Sequence, residues 1–279
     1  RLYPATKSIS KQLLPVFDKP MIYYPLSILM LAGIRDILII TTPHDQSNFR
    51  LLLGDGSHLG MNFQFKIQPS PDGLAQAFTL GKDFIGNDDV CLILGDNIYH
   101  GNDLIKLLDS ATHNVRVKNK ATIFAYYVNN PTSYGVVDFD DQLTAKSIEE
   151  KPKKPKSNYA ITGLYFYDNK VIEYFKKIKP SKRNEFEITS INKCYLNNNE
   201  LFVLPLGRGM TWFDCGSQSS LIEASQYVFT LEKRQGLKIG CVEEIAWRNK
   251  WISDKKMSAH VIKYKSSDYG KYLSKILTN

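Results

Sequence analysis

Cys91-Leu92-Ile93-Leu94-Gly95-Asp96 is the stretch of this 279-residue chain that decides its fold. Four consecutive apolar residues, with no polar residue alternating among them, are typical of a β-strand that is covered on both faces. Such strands belong to sheets that carry helices on both sides. The glycine and the carboxylate that follow lie where open α/β sheets bind their ligands, beyond the carboxyl end of a strand.

Further strands are predicted wherever short apolar, β-rich runs recur, at 36–42, 63–68, 90–94, 121–128, 135–139, 160–167 and 201–206. Helical spacing lies between the first of these runs, at 23–32, 74–84 and 104–111. The first half therefore reads as a Rossmann-like, mostly parallel α/β sheet flanked by helices. After Gly216 the pattern becomes helical, so we expect one α/β domain over 1–216 and a helical C-terminal segment over 217–279, packed on the same domain.

The charge balance narrows the choice of partners. Lys and Arg number 36 against 28 Asp and Glu, and the resulting net charge of +8 favours anionic partners. The basic residues are scattered, and prolines interrupt the densest group at 151–156, so no nucleic-acid partner is predicted. The longest apolar stretch, 21–33, contains Pro25 and is too short to cross a bilayer, so no membrane partner is predicted either.

The four cysteines and five histidines are dispersed through the chain. No CxxC or HExxH motif groups them, which argues against a zinc site and a disulfide framework. Unpaired cysteines fit a reducing, cytoplasmic setting. The chain also lacks GxGxxG, P-loop and GxSxG motifs, which argues against a dinucleotide dehydrogenase, a P-loop ATPase and a serine hydrolase.

Asp96 is the best functional candidate that the residues alone supply. Gly95 permits close backbone approach, and a carboxylate beyond the strand could hold a hard cation that bridges phosphates. A capping role before the next helix is the alternative, and the residues alone leave both open.

Nine blocks distributed along the chain resemble sugar-nucleotide pyrophosphorylases, and glucose-1-phosphate thymidylyltransferases in particular. They are RLYPAT (1–6), SKQLLP (10–15), KPMIYYP (19–25), QPSPDGLAQA (68–77), LGDN (94–97), YGVV (134–137), EEKP (149–152), TGLYFY (162–167) and WFDCG (212–216). The resemblance implies that 1–216 is a nucleotidyltransferase catalytic domain. Its reaction would make dTDP-glucose and pyrophosphate from dTTP and α-D-glucose 1-phosphate, the first step of dTDP-L-rhamnose or related deoxysugar synthesis.

The resemblance also implies the residues that handle the nucleotide phosphates. Arg1 and Lys11 would lie at the triphosphate, where two cations offset the charge that gathers on departing pyrophosphate. Asp96 and Asp214 would hold Mg²⁺, which keeps waters and phosphate oxygens among its ligands and so needs few protein groups. The attacking phosphate oxygen is already anionic, so no general base is expected.

Gln68 and Gly73 are implied at the thymine, where an amide supplies a donor and an acceptor and a glycine lets the backbone approach the base. The sugar-phosphate site is implied at Gly135, Glu150, Lys151 and Ile161, with Lys151 also catalytic. A homotetramer with a feedback site is implied as well, and that second site would draw on Gly207, Arg208, Gly209 and Arg248.

Two departures and two alternatives accompany the resemblance. Family members carry a strand and a glycine-rich loop ahead of the position of Arg1, and the sequence, which starts at Arg1, does not contain them. Cys215-Gly216-Ser217-Gln218 replaces the usual Thr-Gly-Thr-His, a change that leaves the Asp214 ligand intact. A uridylyltransferase or another sugar-1-phosphate nucleotidyltransferase is one alternative, and an inactive regulatory homologue is the other.

Overall fold

The computed structural model describes residues 2–278 of the chain. Its strands are β1 (Pro15–Val16), β2 (Lys19–Pro20), β3 (Asp36–Thr41), β4 (Asn62–Ile67), β5 (Val90–Ile93), β6 (Asn97–His100), β7 (Ala121–Tyr127), β8 (Gly135–Phe139), β9 (Ala145–Glu150), β10 (Tyr159–Tyr167), β11 (Leu201–Leu206) and β12 (Thr211–Asp214).

The α-helices are α1 (Tyr23–Leu31), α2 (Gln46–Leu53), α3 (Ala77–Leu80), α4 (Lys82–Ile85), α5 (Leu104–Lys118), α6 (Lys170–Lys177), α7 (Ile188–Asn197), α8 (Gln218–Gln235), α9 (Val242–Arg248), α10 (Asp254–Lys263) and α11 (Asp268–Thr278). Short 3₁₀ turns lie at Lys11–Leu13, Ser57–Leu59, Leu74–Gln76 and Pro131–Ser133. The helical character expected after Gly216 is confirmed by α8 to α11.

The chain forms two compact units. The first contains the described residues up to Phe65, then Gly95–Tyr99 and the residues from Phe213 onward, and the second contains Lys66–Leu94 and His100–Trp212. This division differs from the sequence-based one, because the C-terminal helices share a unit with the N-terminal residues. The assignment of 1–216 as a catalytic domain stays a prediction.

The second unit is built on a six-stranded sheet of order β11-β7-β10-β8-β9, with β5 also paired to β10. The pair β7–β11 is parallel, whereas β10 runs antiparallel to β5, β7 and β8, and β9 runs antiparallel to β8. Four strands, β5, β7, β8 and β11, therefore share one direction, and β9 and β10 oppose them. The α/β class is confirmed, and the sheet is mixed.

The core of the second unit lies between this sheet and its helices. All residues of β10 after Tyr159 are buried, as expected of a continuous apolar strand covered on both faces. Ile123 and Val203 come from the parallel pair and pack with Ile191 and Tyr195 of α7. The core fixes the positions of β8, β9 and β10, which carry the sugar-site candidates Gly135, Glu150 and Ile161.

The first unit combines short strand pairs with helices. β1 pairs with β2 and β3 with β4. The helix α1 is buried over most of its length, and Pro25 is tolerated because it lies in the first turn, where its missing N–H has no partner within the helix. A core of Val16, Met21 and Tyr24 packs against Ala224 and Val228 of α8.

Four charged side chains form a cluster in the same unit. The ammonium of Lys19, whose side chain is 2% exposed, pairs with Asp18 at 2.6 Å and with Glu232 at 3.1 Å. Lys238 also pairs with Asp18, and with the other oxygen of Glu232 at 2.9 Å. Two cations and two anions therefore balance where the β1–β2 hairpin meets the end of α8.

One predicted helix is broken. The segment 74–84 forms a 3₁₀ turn followed by α3 and α4, which are separated by Gly81. The apolar spacing continues through this break, so periodicity alone does not reveal it. Within residues 2–278, no helix combines the length and the apolar character that crossing a bilayer requires.

Candidate functional site

Asp96 lies in a tightly packed loop of the first unit and is paired with Lys11. A Cβ at Gly95 would lie 2.9 Å from Cγ of Gln12, so the glycine allows the two backbone segments to pack closely. This packing brings the Lys11 ammonium onto Oδ2 of the buried Asp96 carboxylate. The other oxygen, Oδ1, accepts a hydrogen bond from the Asn97 amide at 3.1 Å.

Asp214 is the last residue of β12 and directly precedes Cys215. The backbone N–H of Cys215 donates to the carbonyl of Asp96 at 3.0 Å, which joins the two carboxylate-bearing segments. The Cys215 thiol is buried, and its pKa is raised to about 12 by burial and by the charges of Asp96 and Asp214, while Lys11 opposes the shift. The structure thus brings Lys11, Asp96 and Asp214 together around one neutral thiol.

The segment after Asp214 begins the long helix α8. Ser217 is its N-cap: its hydroxyl accepts from the backbone of Ser220, and the Ser220 hydroxyl accepts from the Ser217 backbone. Gln218, which replaces the family histidine, donates to the carbonyl of Leu2 at 3.2 Å. Arg1 itself lies outside the described residues.

Oxygen donors of this kind suit a hard divalent cation. Asp96 and Asp214 each offer a carboxylate, and the protonated Cys215 thiol between them is a poor ligand. Within residues 2–278 no group of three or more His, Cys, Asp and Glu side chains could hold a metal. Carboxylate oxygens beside a protonated thiol suit such a cation better than they suit zinc.

Gln68 and Gly73 lie in one loop of the second unit. The Gln68 amide donates to the carbonyl of Gly73 at 3.2 Å and to Oε1 of Gln76 at 2.8 Å. Gly73 has φ +110°, and a Cβ there would lie 2.5 Å from the backbone N and O of Phe186. The close approach that this glycine allows within the protein is therefore to Phe186, a contact that the sequence did not indicate.

Three of the sugar-site candidates meet at one place in the second unit. Gly135 and Glu150 are register partners of β8 and β9. A Cβ on Gly135 would lie 3.4 Å from Oε2 of Glu150 and 3.5 Å from both Cδ1 of Ile161 and Oγ1 of Thr189. The Thr189 hydroxyl donates to Oε2 of Glu150 at 2.6 Å. Sequence reasoning missed Thr189, because nothing local links it to a carboxylate 39 residues earlier.

Cations surround the other oxygen of Glu150. Lys151 Nζ lies 3.4 Å from Oε1, and Nη2 of Arg183 lies 3.6 Å from the same atom. Lys151 has φ +44°, and its backbone N–H donates to the carbonyl of Tyr134 at 3.0 Å, which fixes the turn after β9. Arg183 was also missed, since it lies in a polar loop without a motif. Nη2 of Arg183 lies closer to Glu187, at 2.7 Å, so Lys151 and Glu150 are the pair that can bind a group carrying a phosphate and hydroxyls.

The predicted regulatory residues divide between the two units. Gly207, Arg208 and Gly209 form an exposed turn of the second unit, in which the backbone N–H of Met210 donates to Gly207 at 3.1 Å. Arg248 belongs to the first unit, where its Nε donates to Glu244 at 2.7 Å. This ion pair, mainly through its hydrogen bond, raises the pKa of Arg248. A regulatory role for these residues stays a prediction.

Comparisons with known proteins relate the chain to one family. The sequence model of the nucleotidyl transferase family matches residues 1–230. A glucose-1-phosphate thymidylyltransferase of Neisseria meningitidis is 54% identical over 277 residues, which cover 99% of this chain and 95% of the relative. A glucose-1-phosphate thymidylyltransferase of Mycobacterium tuberculosis is 53% identical, with the same coverage.

Solved structures show the same similarity. A Bacillus anthracis protein, assigned as a glucose-1-phosphate thymidylyltransferase and crystallised in complex with a sucrose, is 40% identical with a TM-score of 0.74. The match covers 81% of this chain and 89% of that protein. A UDP-glucose pyrophosphorylase complexed with UDP-glucose is 26% identical with a TM-score of 0.72, and the match covers 83% of this chain and 94% of that one.

Proposed function

The chain belongs to the nucleotidyl transferase family, and we propose that it makes dTDP-glucose and pyrophosphate from dTTP and α-D-glucose 1-phosphate. The observation that carries the proposal is the full-length similarity to thymidylyltransferases, at 53–54% identity. Two separate clusters of charged residues support it, one at Lys11, Asp96 and Asp214 and one at Glu150 and Lys151.

The first cluster is proposed to handle the nucleotide phosphates. Asp96 and Asp214 would hold Mg²⁺, which when bound would neutralise phosphate charge. Lys11, together with Arg1, would offset the negative charge that gathers on the leaving pyrophosphate. The nucleophile is the phosphate of the sugar, which is already anionic, so positioning and charge compensation suffice without a general base.

The loop of Gln68 and Gly73 is proposed to bind the thymine. The Gln68 side chain is held by Gly73 and Gln76, so its amide group has a fixed orientation before a base arrives. Both N–H donors of this amide are engaged, so its oxygen is the group that would accept a hydrogen bond from the base. The Gly73 conformation is imposed by Phe186, so this glycine contributes the shape of the loop.

The second cluster is proposed to bind glucose 1-phosphate. Glu150 would accept hydrogen bonds from sugar hydroxyls, with its carboxylate oriented by Thr189. Lys151 would face the phosphate, and Arg183, whose Nη2 donates to Glu187 at 2.7 Å, would add positive charge nearby. Gly135 and Ile161 would shape the wall beside Glu150, since a Cβ on Gly135 would lie 3.4 Å from Oε2 of Glu150 and 3.5 Å from Cδ1 of Ile161.

The test is pyrophosphate release by the purified chain with dTTP and glucose 1-phosphate, compared with UTP and with other sugar 1-phosphates. We expect the highest kcat/KM with dTTP and glucose 1-phosphate. A uridylyltransferase is the second candidate, because a UDP-glucose pyrophosphorylase shares the fold over most of the chain. A preference for UTP would establish that candidate, and release with no pair would favour an inactive regulatory homologue.

Four further features complete the proposal. We propose a homotetramer, which light scattering would test, and a feedback site that uses Gly207, Arg208, Gly209 and Arg248. A cytoplasmic location is proposed because the four cysteines, all within the described residues, form no disulfides. The product would enter dTDP-L-rhamnose or a related deoxysugar synthesis.

A further inference from the structure

The pairing of Lys11 with Asp96 has a direct consequence for cation binding. Asp96 Oδ2 is in contact with an ammonium, and Oδ1 accepts from Asn97, so both oxygens of this carboxylate already have partners. The Asp96 side chain is 11% exposed and that of Lys11 is 36% exposed. The pair is therefore largely withdrawn from water at the carboxylate end, where competition by solvent is weak.

The pairing follows from the backbone and is more than a chance contact between two mobile side chains. The 3₁₀ turn that carries Lys11 is held in place by a backbone hydrogen bond, in which the N–H of Ile22 donates to the carbonyl of Gln12 at 2.8 Å. Gly95 packs on the Gln12 side chain, and the Asp96 carbonyl is held by the N–H of Cys215. The segments that carry the Lys11 ammonium and the Asp96 carboxylate are therefore held in contact by backbone packing and hydrogen bonds.

A divalent cation on Asp96 would meet this ammonium. The ammonium and the divalent cation would repel each other strongly in a site with little water, so Asp96 cannot bind both tightly at the same time. A triphosphate, however, offers Lys11 an alternative partner with more negative charge than Asp96 has.

We propose that Lys11 is the resident counter-ion of Asp96 in the free protein and is exchanged for a divalent cation when nucleotide phosphates draw the ammonium away. The inference rests on the proposed function in taking Asp96 as a cation ligand and Lys11 as a phosphate ligand. Cation and nucleotide then bind with positive coupling, and by linkage each raises the affinity for the other. The free protein is protected from holding a cation in the absence of its nucleotide.

The test is Mn²⁺ binding to the nucleotide-free protein, measured by the loss of the free-ion electron paramagnetic resonance signal. Lys11→Met keeps the length and apolar stem of the side chain and removes the charge, so it should bind Mn²⁺ more tightly than the unchanged protein. The increase should be on the order of tenfold, a typical coupling between two sites. Lys11→Arg keeps the charge and should stay near the unchanged protein.

The control is Lys7→Met, which removes the same charge from an exposed residue of the same segment. At about 0.5 M salt the Debye length is roughly 4 Å, so an effect that acts at long range disappears while a direct exchange at Asp96 persists. Circular dichroism confirms that each variant is folded.

Three results would overturn the inference. They are an equal gain in Lys7→Met at high salt, no gain in Lys11→Met, and binding by Lys11→Met that does not exceed that of Asp96→Asn. Pyrophosphate release by the unchanged protein tests the proposed function separately. A chain that shows the exchange but releases no pyrophosphate keeps this inference and loses the function.

Discussion

Replacing Glu232 by alanine should destabilise the protein strongly, because this residue balances two buried lysines. Its Oε1 lies 3.1 Å from Lys19 Nζ and its Oε2 lies 2.9 Å from Lys238 Nζ. Oε1 also accepts the backbone N–H of Ile239 at 2.9 Å. After the change, Asp18 alone faces two ammonium groups whose side chains are 2% and 11% exposed.

The magnitude follows from the burial of these partners. Breaking a buried ion pair by removing one partner costs about 3–5 kcal/mol, because it leaves an uncompensated charge. We expect about 4 kcal/mol for Glu232→Ala, with the orphaned N–H of Ile239 included. At about 2–4 °C per kcal/mol for a domain of this size, the melting temperature should fall by about 8–16 °C.

The loss of stability is measured by thermal and urea unfolding of Glu232→Ala and a matched set of variants. Glu223→Ala changes an exposed glutamate of the same helix and should alter stability by less than about 0.5 kcal/mol. Glu232→Gln combined with Lys238→Gln restores the charge balance around Lys19, so it should be more stable than Glu232→Gln alone by about 1 kcal/mol. A cost below about 1 kcal/mol for Glu232→Ala, or no recovery in the double variant, would refute the reasoning.

Three further outcomes are expected. Lys151→Ala should raise the KM for glucose 1-phosphate and lower kcat/KM while calorimetry finds dTTP affinity unchanged, and equal damage to dTTP binding would remove Lys151 from the sugar site. Asp96→Asn and Asp214→Asn should each abolish most activity, with the double variant little worse, whereas wild-type kcat at saturating Mg²⁺ in either would contradict a shared cation site. Burial and neighbouring positive charges lower the pKa of His58. As pH falls, the unfolded state therefore binds the proton first, and the free energy of unfolding should decrease below about pH 6.5. His58→Gln should flatten that decrease in urea unfolding, and an equal flattening by the exposed His44→Gln would contradict the reasoning.

All seven predicted strand runs are strands in the structure, but the helices α2, α6 and α7 were not predicted. The bounds of β8 and β11 match their predicted runs, and α8 to α11 occupy the segment after Gly216 that was predicted to be helical. The strand β9 was missed because its charged residues alternate with few apolar ones, and its pairing with β8 supplies what the pattern lacks. The two-residue strands β1 and β2 are too short for any periodicity.

The site was predicted only as far as motifs reach. Asp96 could be inferred from its place after an apolar strand, β5, which is only partly buried in the structure. Its pairing with Lys11 depends on the packing of Gly95 against Gln12, which joins segments 83 positions apart in the numbering. Thr189 has no local signal either, because its significance lies in a contact with Glu150 across α7 and β9. Long-range contacts of this kind are fixed by the fold and are invisible to local patterns.

Two glycines of the proposed binding sites show how to interpret loss of function at such positions. At Gly73 a side chain would collide with the Phe186 backbone at 2.5 Å in a conformation that only glycine adopts readily, so a substitution there damages the loop whether or not a base binds. At Gly135 an added Cβ would make ordinary contacts of 3.4–3.5 Å, so the folded protein tolerates it. Inactivity of a stable Gly135 variant therefore reports on the space a ligand needs, whereas inactivity at Gly73 reports on the loop itself.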